Sequence, residues 1–278
     1  MNRITRIVAA LVALGAFACL AEEASAESKW WSIRAYADVE SAYISRGYIW
    51  DVRPYSAQFV DGALHLGPFG SIDASVWTMS ATSDRGQSGR MSRRAYAEID
   101  YVLRYTYDVK LAKDWTLSNG IARQWVTNPG YVTGRTLCDF QFTQSLQNPY
   151  LTPYWKLRTI RHPYDANYAF VGVKKAWTLL EGLSLTVDVY GDFSDRRDFE
   201  HLYGPKPWAP ASRYRGGLQA LNLVFRLDYA LTEHVGLFAF VGQFDVVHGD
   251  ARRALKATKI PEARRDLTYG GVGISVAF

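Results

Sequence analysis

Apolar and polar positions alternate with a period of two in four stretches of the chain. From Ala97 to Val109, the residues Ala97, Ile99, Tyr101, Leu103, Tyr105, Tyr107 and Val109 fall on one face, opposite Glu98, Asp100, Arg104 and Asp108. Leu183, Leu185, Val187 and Val189 alternate with Ser184, Thr186 and Asp188, and Leu221, Leu223, Phe225, Leu227 and Tyr229 with Asn222, Arg226 and Asp228. Val272, Ile274, Val276 and Phe278 alternate with Gly273, Ser275 and Ala277. Period two is the signature of an extended strand with one apolar face. Weaker forms of the pattern fill the gaps and predict about twelve strands, at 30–45, 56–67, 70–81, 94–110, 115–127, 138–147, 151–161, 166–178, 183–193, 217–230, 235–247 and 269–278. The stretch 138–147 is poorly patterned, so a count of ten stays open.

The connections sort into two kinds. Every second one is short: 68–70, 111–114, 148–150, 179–182 and 231–234. The others, around 46–55, 82–93, 128–137, 162–165, 194–216 and 248–268, are mostly longer. Tight turns on one rim and long loops on the other are the arrangement of a transmembrane β-barrel, whose walls alternate apolar-out and polar-in. The fold class expected is therefore all-β: a closed antiparallel transmembrane β-barrel with short periplasmic turns and long extracellular loops. An even strand count puts both termini on the short-turn rim.

The N-terminus supports export. Arg3 and Arg6 precede an apolar run, Ile7 to Leu20, which ends before Ala24-Ser25-Ala26. This is the layout of a cleaved signal peptide, residues 1–26, leaving 27–278 as one barrel domain. The run is too short for a spanning helix, which needs roughly twenty residues. Cys19 would leave with the signal, so Cys138 stands alone and no intrachain disulfide holds the mature chain. Overall hydropathy is slightly negative although 14% of residues are aromatic. That combination excludes a helical membrane protein and suits a barrel. Aromatic residues are expected at two lipid interfaces. Trp30, Trp31, Tyr107, Trp115, Tyr154, Trp155, Trp177, Tyr229 and Phe278 would form the inner girdle, and Tyr43, Tyr48, Trp50, Trp77, Tyr96, Trp125, Tyr168, Tyr190, Phe193 and Phe244 the outer one.

The last strand, Tyr269 to Phe278, ends in an aromatic residue and resembles the C-terminal strand of Gram-negative outer-membrane proteins. That likeness implies recognition by the barrel assembly machinery. More narrowly, Ser41-Ala42-Tyr43-Ile44-Ser45-Arg46-Gly47 resembles the Tyr-x-x-Arg-Gly segment of TorF-like porins. This likeness implies an outer-membrane porin and brings no residue roles with it.

Twelve strands about 4.8 Å apart and tilted near 40° close into a cylinder roughly 24 Å across, narrowed by side chains to ~10 Å or less. Small hydrated solutes fit such a lumen. Its wall is expected to carry Arg34, Asp38, Glu40, Asp61, His65, Asp73, Glu98, Asp100, Arg104, Asp108, Lys156, Arg158, Lys174, Asp188, Arg226 and Asp228. Buried charges need water or partners. Two readings follow: a wet channel, or an ion-pair network that plugs the barrel.

The net charge of +5 is concentrated in the proposed outer loops, where Arg46, Arg53, Arg93, Arg94, Arg196, Arg197, Arg213, Arg215, Arg252 and Arg253 lie. At the outer leaflet the matching anion is lipopolysaccharide phosphate, which suits arginine's planar fork. An entrance field for anionic solutes is the alternative. Nucleic acid is a poor partner for this location. A barrel hydrolase would need a histidine beside a wall serine. Of the five histidines only His65 falls on a wall, where a lumen hydrogen bond suits it equally. Asp192, Asp195 and Asp198, interleaved with Arg196 and Arg197, read as a solvated loop rather than a metal site. The pattern calls for no cofactor and no catalytic residue. It points to a porin-like channel for small hydrophilic solutes, or else a non-conducting barrel whose loops act as scaffold or adhesin. A lipid hydrolase is the remaining alternative.

Overall fold

The computed structural model describes residues 30–81, 97–127, 137–162, 164–203, 216–257 and 264–278. Twelve strands close into one barrel. They are β1 (Trp31–Glu40), β4 (Tyr55–His65), β5 (Ser71–Ala81), β6 (Ala97–Ala112), β7 (Trp115–Thr127), β8 (Leu137–Gln147), β9 (Thr152–His162), β10 (Ala166–Leu180), β11 (Leu183–Ser194), β12 (Gly217–Ala230), β13 (Val235–Val246) and β14 (Asp266–Ala277). Sequence neighbours pair antiparallel all the way round. The last strand closes on the first, from Arg34 opposite Ala277 to Glu40 opposite Gly271. Phe278 completes the seam by exchanging backbone hydrogen bonds with Ile33, at 2.9 and 3.2 Å, and its ring stacks on His234 at 4.8 Å.

The period-two pattern explains the two faces. Outward residues such as Val60, Leu103, Val241 and Val272 are half or more exposed to the surroundings. A continuous apolar exterior of this kind needs lipid, not water, as its solvent. Among the described residues no helix is long and apolar enough to cross a membrane. The inner turns are tight. Asn148 Oδ1 accepts hydrogen bonds from the Tyr150 and Leu151 amides at 3.0 and 3.1 Å, and Thr232 Oγ1 from the His234 and Val235 amides.

One element departs from the expected pattern. The first strand, expected over 30–45, leaves the wall after Glu40. Residues 43–51 form a separate hairpin, β2 (Tyr43–Ser45) and β3 (Tyr48–Asp51), before β4 rejoins the wall. Two outer loops also carry helices, α1 (Arg196–Tyr203) and α2 (Gly249–Ala257). The main buried core is not a conventional one. It sits at the outer mouth, where Phe199 of α1 and Ala251, Ala254 and Leu255 of α2 pack with Ala220, Phe244 and Val246 of the wall, and Ile44, Tyr48, Ile49 and Trp50 of the hairpin pack against them. Burying side chains of this kind contributes roughly 1.5–3 kcal/mol each.

Candidate functional site in the barrel lumen

The hairpin turns on two residues. Ser45 pairs with Tyr48, and Arg46 and Gly47 between them both have positive φ, 55° and 67°. This is the primed two-residue turn that matches strand twist. A non-glycine residue in this region carries strain of about 1–2 kcal/mol. Arg46 is the one such residue among the described ones, and its surroundings hold it there. Its guanidinium donates to Tyr164 Oη at 2.6 Å and pairs with Asp198 at 3.3 Å, and it lies over the rings of Trp50 and Tyr168 at 5.2 and 5.9 Å. Burial opposes its charge, but Tyr164 and Asp198 outweigh burial and hold it above the usual arginine range. Burial in turn pushes the Asp198 carboxyl up to about 6, against the pull of Arg46.

Around this tip the outer half of the lumen is filled by a polar network. Arg158 pairs with Asp139, Gln141 bridges Asp139 and Gln124, and Gln124 donates to Asp100 at 2.5 Å. Tyr43 donates to Glu98 at 3.0 Å, Asn222 to Asp192 at 2.6 Å, and Gln219 to Ser194 at 2.6 Å. A cavity of about 60 Å³ remains between hairpin and wall, lined by Tyr43, Ser45, Arg46 and Trp50 above and by Glu98, Asp100 and Arg158 among others below.

The inner half is open. Arg34 pairs with Asp61 at 2.5 Å, yet its side chain is 62% exposed. Arg104 reaches Asp73 at 3.4 Å, and Arg226 grips Asp228 at 2.8 Å with both partners about 40% exposed. Asp188 accepts from Tyr154 at 2.9 Å, and Lys174 lies 6.0 Å from the same ring. The arginine side chain of each ion pair is about a third or more exposed, whereas the Asp61 and Asp73 carboxylates are buried in the wall. Asp38, Glu40, Asp108 and Lys156 share the inward registers of the same strands. All sixteen residues expected on the lumen wall thus fall on its inward registers; Glu98, Asp100 and Arg158 lie in the sealed outer network, and of the others Asp38, Asp61 and Asp73 are buried in the wall.

Several expectations need correction. Arg46 does not reach the outer leaflet, because its side chain is buried inside the mouth. Asp192 and Asp198 are buried rather than solvated, and Asp195 caps α1 by accepting from the Asp198 amide at 2.9 Å. Tyr43, Trp77, Tyr168, Tyr190 and Phe244 of the expected outer girdle, with Tyr48 and Trp50 of the hairpin, face the interior instead. Tyr154 of the inner girdle does so too. Among the loop arginines, Arg196 pairs with Glu200, Arg252 with Asp245 and Arg253 with Asp250, Arg197 lies 3.9 Å from Asp165, and Arg53 is half-buried. Arg93, Arg94, Arg213, Arg215 and Tyr96 lie outside the described residues, as does the signal segment 1–26. Asp139, Gln124, Gln141 and Gln219 were not anticipated on the wall, although the first three sit at inward registers of strands that were and Gln219 sits at the bulge of β12.

His65 Nε2 lies 3.0 Å from Ser32 Oγ at the open inner rim. Among the described residues no carboxylate is hydrogen-bonded to its other ring nitrogen, so the third member of a hydrolytic triad is not in place.

No protein-family model matches the chain, and no curated protein does. Solved structures do. The COG4313 outer membrane channel from Pseudomonas putida F1 superposes with a TM-score of 0.54 at 8% identity, over 91% of this chain and 97% of that one. The likeness is one of fold. The KdgM porin in complex with disordered oligogalacturonate gives a TM-score of 0.47 at 10% identity, over 89% and 99%. Outer membrane phospholipase A from Escherichia coli gives 0.43 at 14%, over 88% and 92%. This chain therefore has the twelve-strand fold of outer-membrane β-barrels.

Proposed function

We propose that the protein is a porin-like outer-membrane channel for small hydrophilic solutes, shut at its outer mouth in this conformation by the β2–β3 hairpin. The observation that carries the reading is the contrast within the lumen. Below the hairpin, Arg226, Asp228 and the Arg34 guanidinium stay exposed to water. Above it, the closure is not part of the wall: the hairpin is a two-stranded insertion outside the barrel sheet, held to the wall by side-chain packing and by a hydrogen bond from the Gly47 backbone to the Asp192 carboxylate. A seal of that kind can leave without breaking the barrel. The segment that resembles TorF-like porins, Tyr43 to Gly47, is this hairpin.

The surroundings follow from the same reading. A signal peptide, 1–26, directs export, and the seam strand ending at Phe278 is the part offered to the barrel assembly machinery. Arg53, Arg196, Arg197, Arg252 and Arg253, with Arg93, Arg94, Arg213 and Arg215, supply the positive outer surface for lipopolysaccharide phosphates. The His65–Ser32 contact acts as a rim hydrogen bond; lipid cleavage abolished by His65→Ala would reverse that assignment.

The sealed mouth favours one second reading, a non-conducting barrel that presents its outer loops. Planar-bilayer recording separates the two. The channel reading expects intermittent openings from the mature chain and sustained conductance when residues 43–51 are replaced by a short Gly-Ser linker. An intact barrel that conducts in neither form is a scaffold.

A further inference from the structure

Carboxylates outnumber guanidinium and amino groups on the lumen wall, although the chain as a whole carries +5. The excess has a definite place. Two consecutive rungs across β1, β14 and β13 repeat one arrangement: Asp38 opposite Gly273 opposite Phe238, then Glu40 opposite Gly271 opposite Phe240. The glycines are what bring acid and ring together. A Cβ on Gly273 would strike both Phe238 and Asp38, and one on Gly271 would strike Phe240 and Glu40.

Among the described residues neither carboxylate forms an ion pair. Asp38 is only 8% exposed, and its Oδ1 has no hydrogen-bond partner. Glu40 is hydrogen-bonded to Tyr55. Further rings border the rungs: Tyr36 meets Phe238 edge-on at 6.1 Å and stacks on Phe59 at 4.9 Å. The wall already holds one cation of the chain's own, since the Arg226 guanidinium sits 4.0 Å from the Phe238 centroid. Ring faces attract cations, and unneutralised carboxylates add to that field while repelling anions.

We propose that the two rungs are a binding track for small organic ammonium ions and that the barrel conducts cations in preference to anions. This rests on the channel reading above and names the class of solute it carries. An ammonium group would supply the missing donor at Asp38 Oδ1 and lay its alkyl substituents on Phe238 and Tyr36. Carboxylate or phosphate solutes would meet the same wall as a barrier.

The test uses the mature chain and the hairpin-replaced form in planar bilayers. Reversal potentials in a potassium chloride gradient should give a cation-to-anion permeability ratio of about two- to fivefold, the size of one exposed cation–π contact. Ethylammonium, which carries both N–H donors and an alkyl group, should block the potassium current when added from the periplasmic side, a readout that needs no variant. Asp38→Asn with Glu40→Gln should bring the ratio to unity, and Phe238→Leu should relieve the block. A conducting barrel that is anion-selective, or whose selectivity and block survive these changes, overturns the inference and leaves the channel reading standing. Absence of conductance in both forms overturns the two together.

Discussion

The two halves of the lumen carry the same kinds of residue and behave differently. In the inner half Arg226 and Asp228 form an ion pair exposed on both sides, and the Arg34 guanidinium stays in contact with water over a buried Asp61. In the outer half Arg46–Asp198 and Arg158–Asp139 are ion pairs whose carboxylates are fully buried. An exposed pair contributes about 0–1 kcal/mol, whereas removing one partner of a buried pair costs about 3–5 kcal/mol because the other charge is left uncompensated. Chemistry of the residues therefore does not separate the halves; what covers them does. A single nine-residue hairpin converts a hydrated wall into a core.

This comparison can be broken at several points, and the largest effect should come from Arg46. Arg46→Ala strands Asp198 and removes the clamp on the turn. Its cost of about 3–5 kcal/mol on docking should raise single-channel open probability at least about a hundredfold, with the barrel intact. An unchanged open probability would mean that the hairpin is held by its apolar contacts alone.

Acidity should act next. Burial raises Asp198 in the docked state to about 6 from an ordinary value of 3.8, so docking takes up a proton between the two. That stabilisation is complete below the ordinary value and is lost as pH rises through about 6. Open probability should accordingly increase between roughly pH 4 and pH 6. Arg46, Tyr164, Asp195 and Arg158 are the groups that face the carboxyl, and Asp198→Asn should flatten the response. His248, which burial lowers, pulls in the opposite direction, so the recording belongs in a His248→Gln background.

Gly47→Ala is a smaller probe. At φ 67° its Cβ would lie 3.0 Å from the Gln219 Cβ and 3.2 Å from that of Asp192. Strain of about 1–2 kcal/mol should loosen docking by roughly tenfold. The smallest effect is expected in the open half. Arg226→Ala, whose partner Asp228 is itself exposed, should change thermal stability in detergent by no more than about 1 kcal/mol and leave gating untouched. A loss comparable to that of Arg46→Ala would erase the distinction between the halves.

The barrel was legible in the sequence because lipid outside and polar lumen inside force alternation on strands such as β6, β12 and β14. The hairpin was not, because it is buried on both sides. Tyr48, Ile49 and Trp50 run consecutively apolar where a wall strand would alternate. Arg46-Gly47 between apolar flanks was the available signal for a primed turn. Aromatic identity misled for a related reason: Trp155 and Trp177 face lipid while Trp77 and Tyr168 face the mouth, and a large ring suits either place. Asp198 read as solvated because its partner Arg46 lies 152 positions away in the chain. Gln124 and Gln141 went unnoticed because charge alone marked the lumen face.

The central claim is that the hairpin is a removable seal on a conducting lumen, and a reversible lock tests it most directly. A Cβ at Gly47 would lie 3.7 Å from that of Ala220, within the range a disulfide bridges. With Cys138→Ser to remove the native thiol, Gly47→Cys and Ala220→Cys should give a barrel that is silent in planar bilayers when oxidised. Reductant should restore openings within the same recording. Equal conductance before and after reduction, with the cross-link verified, would contradict the account.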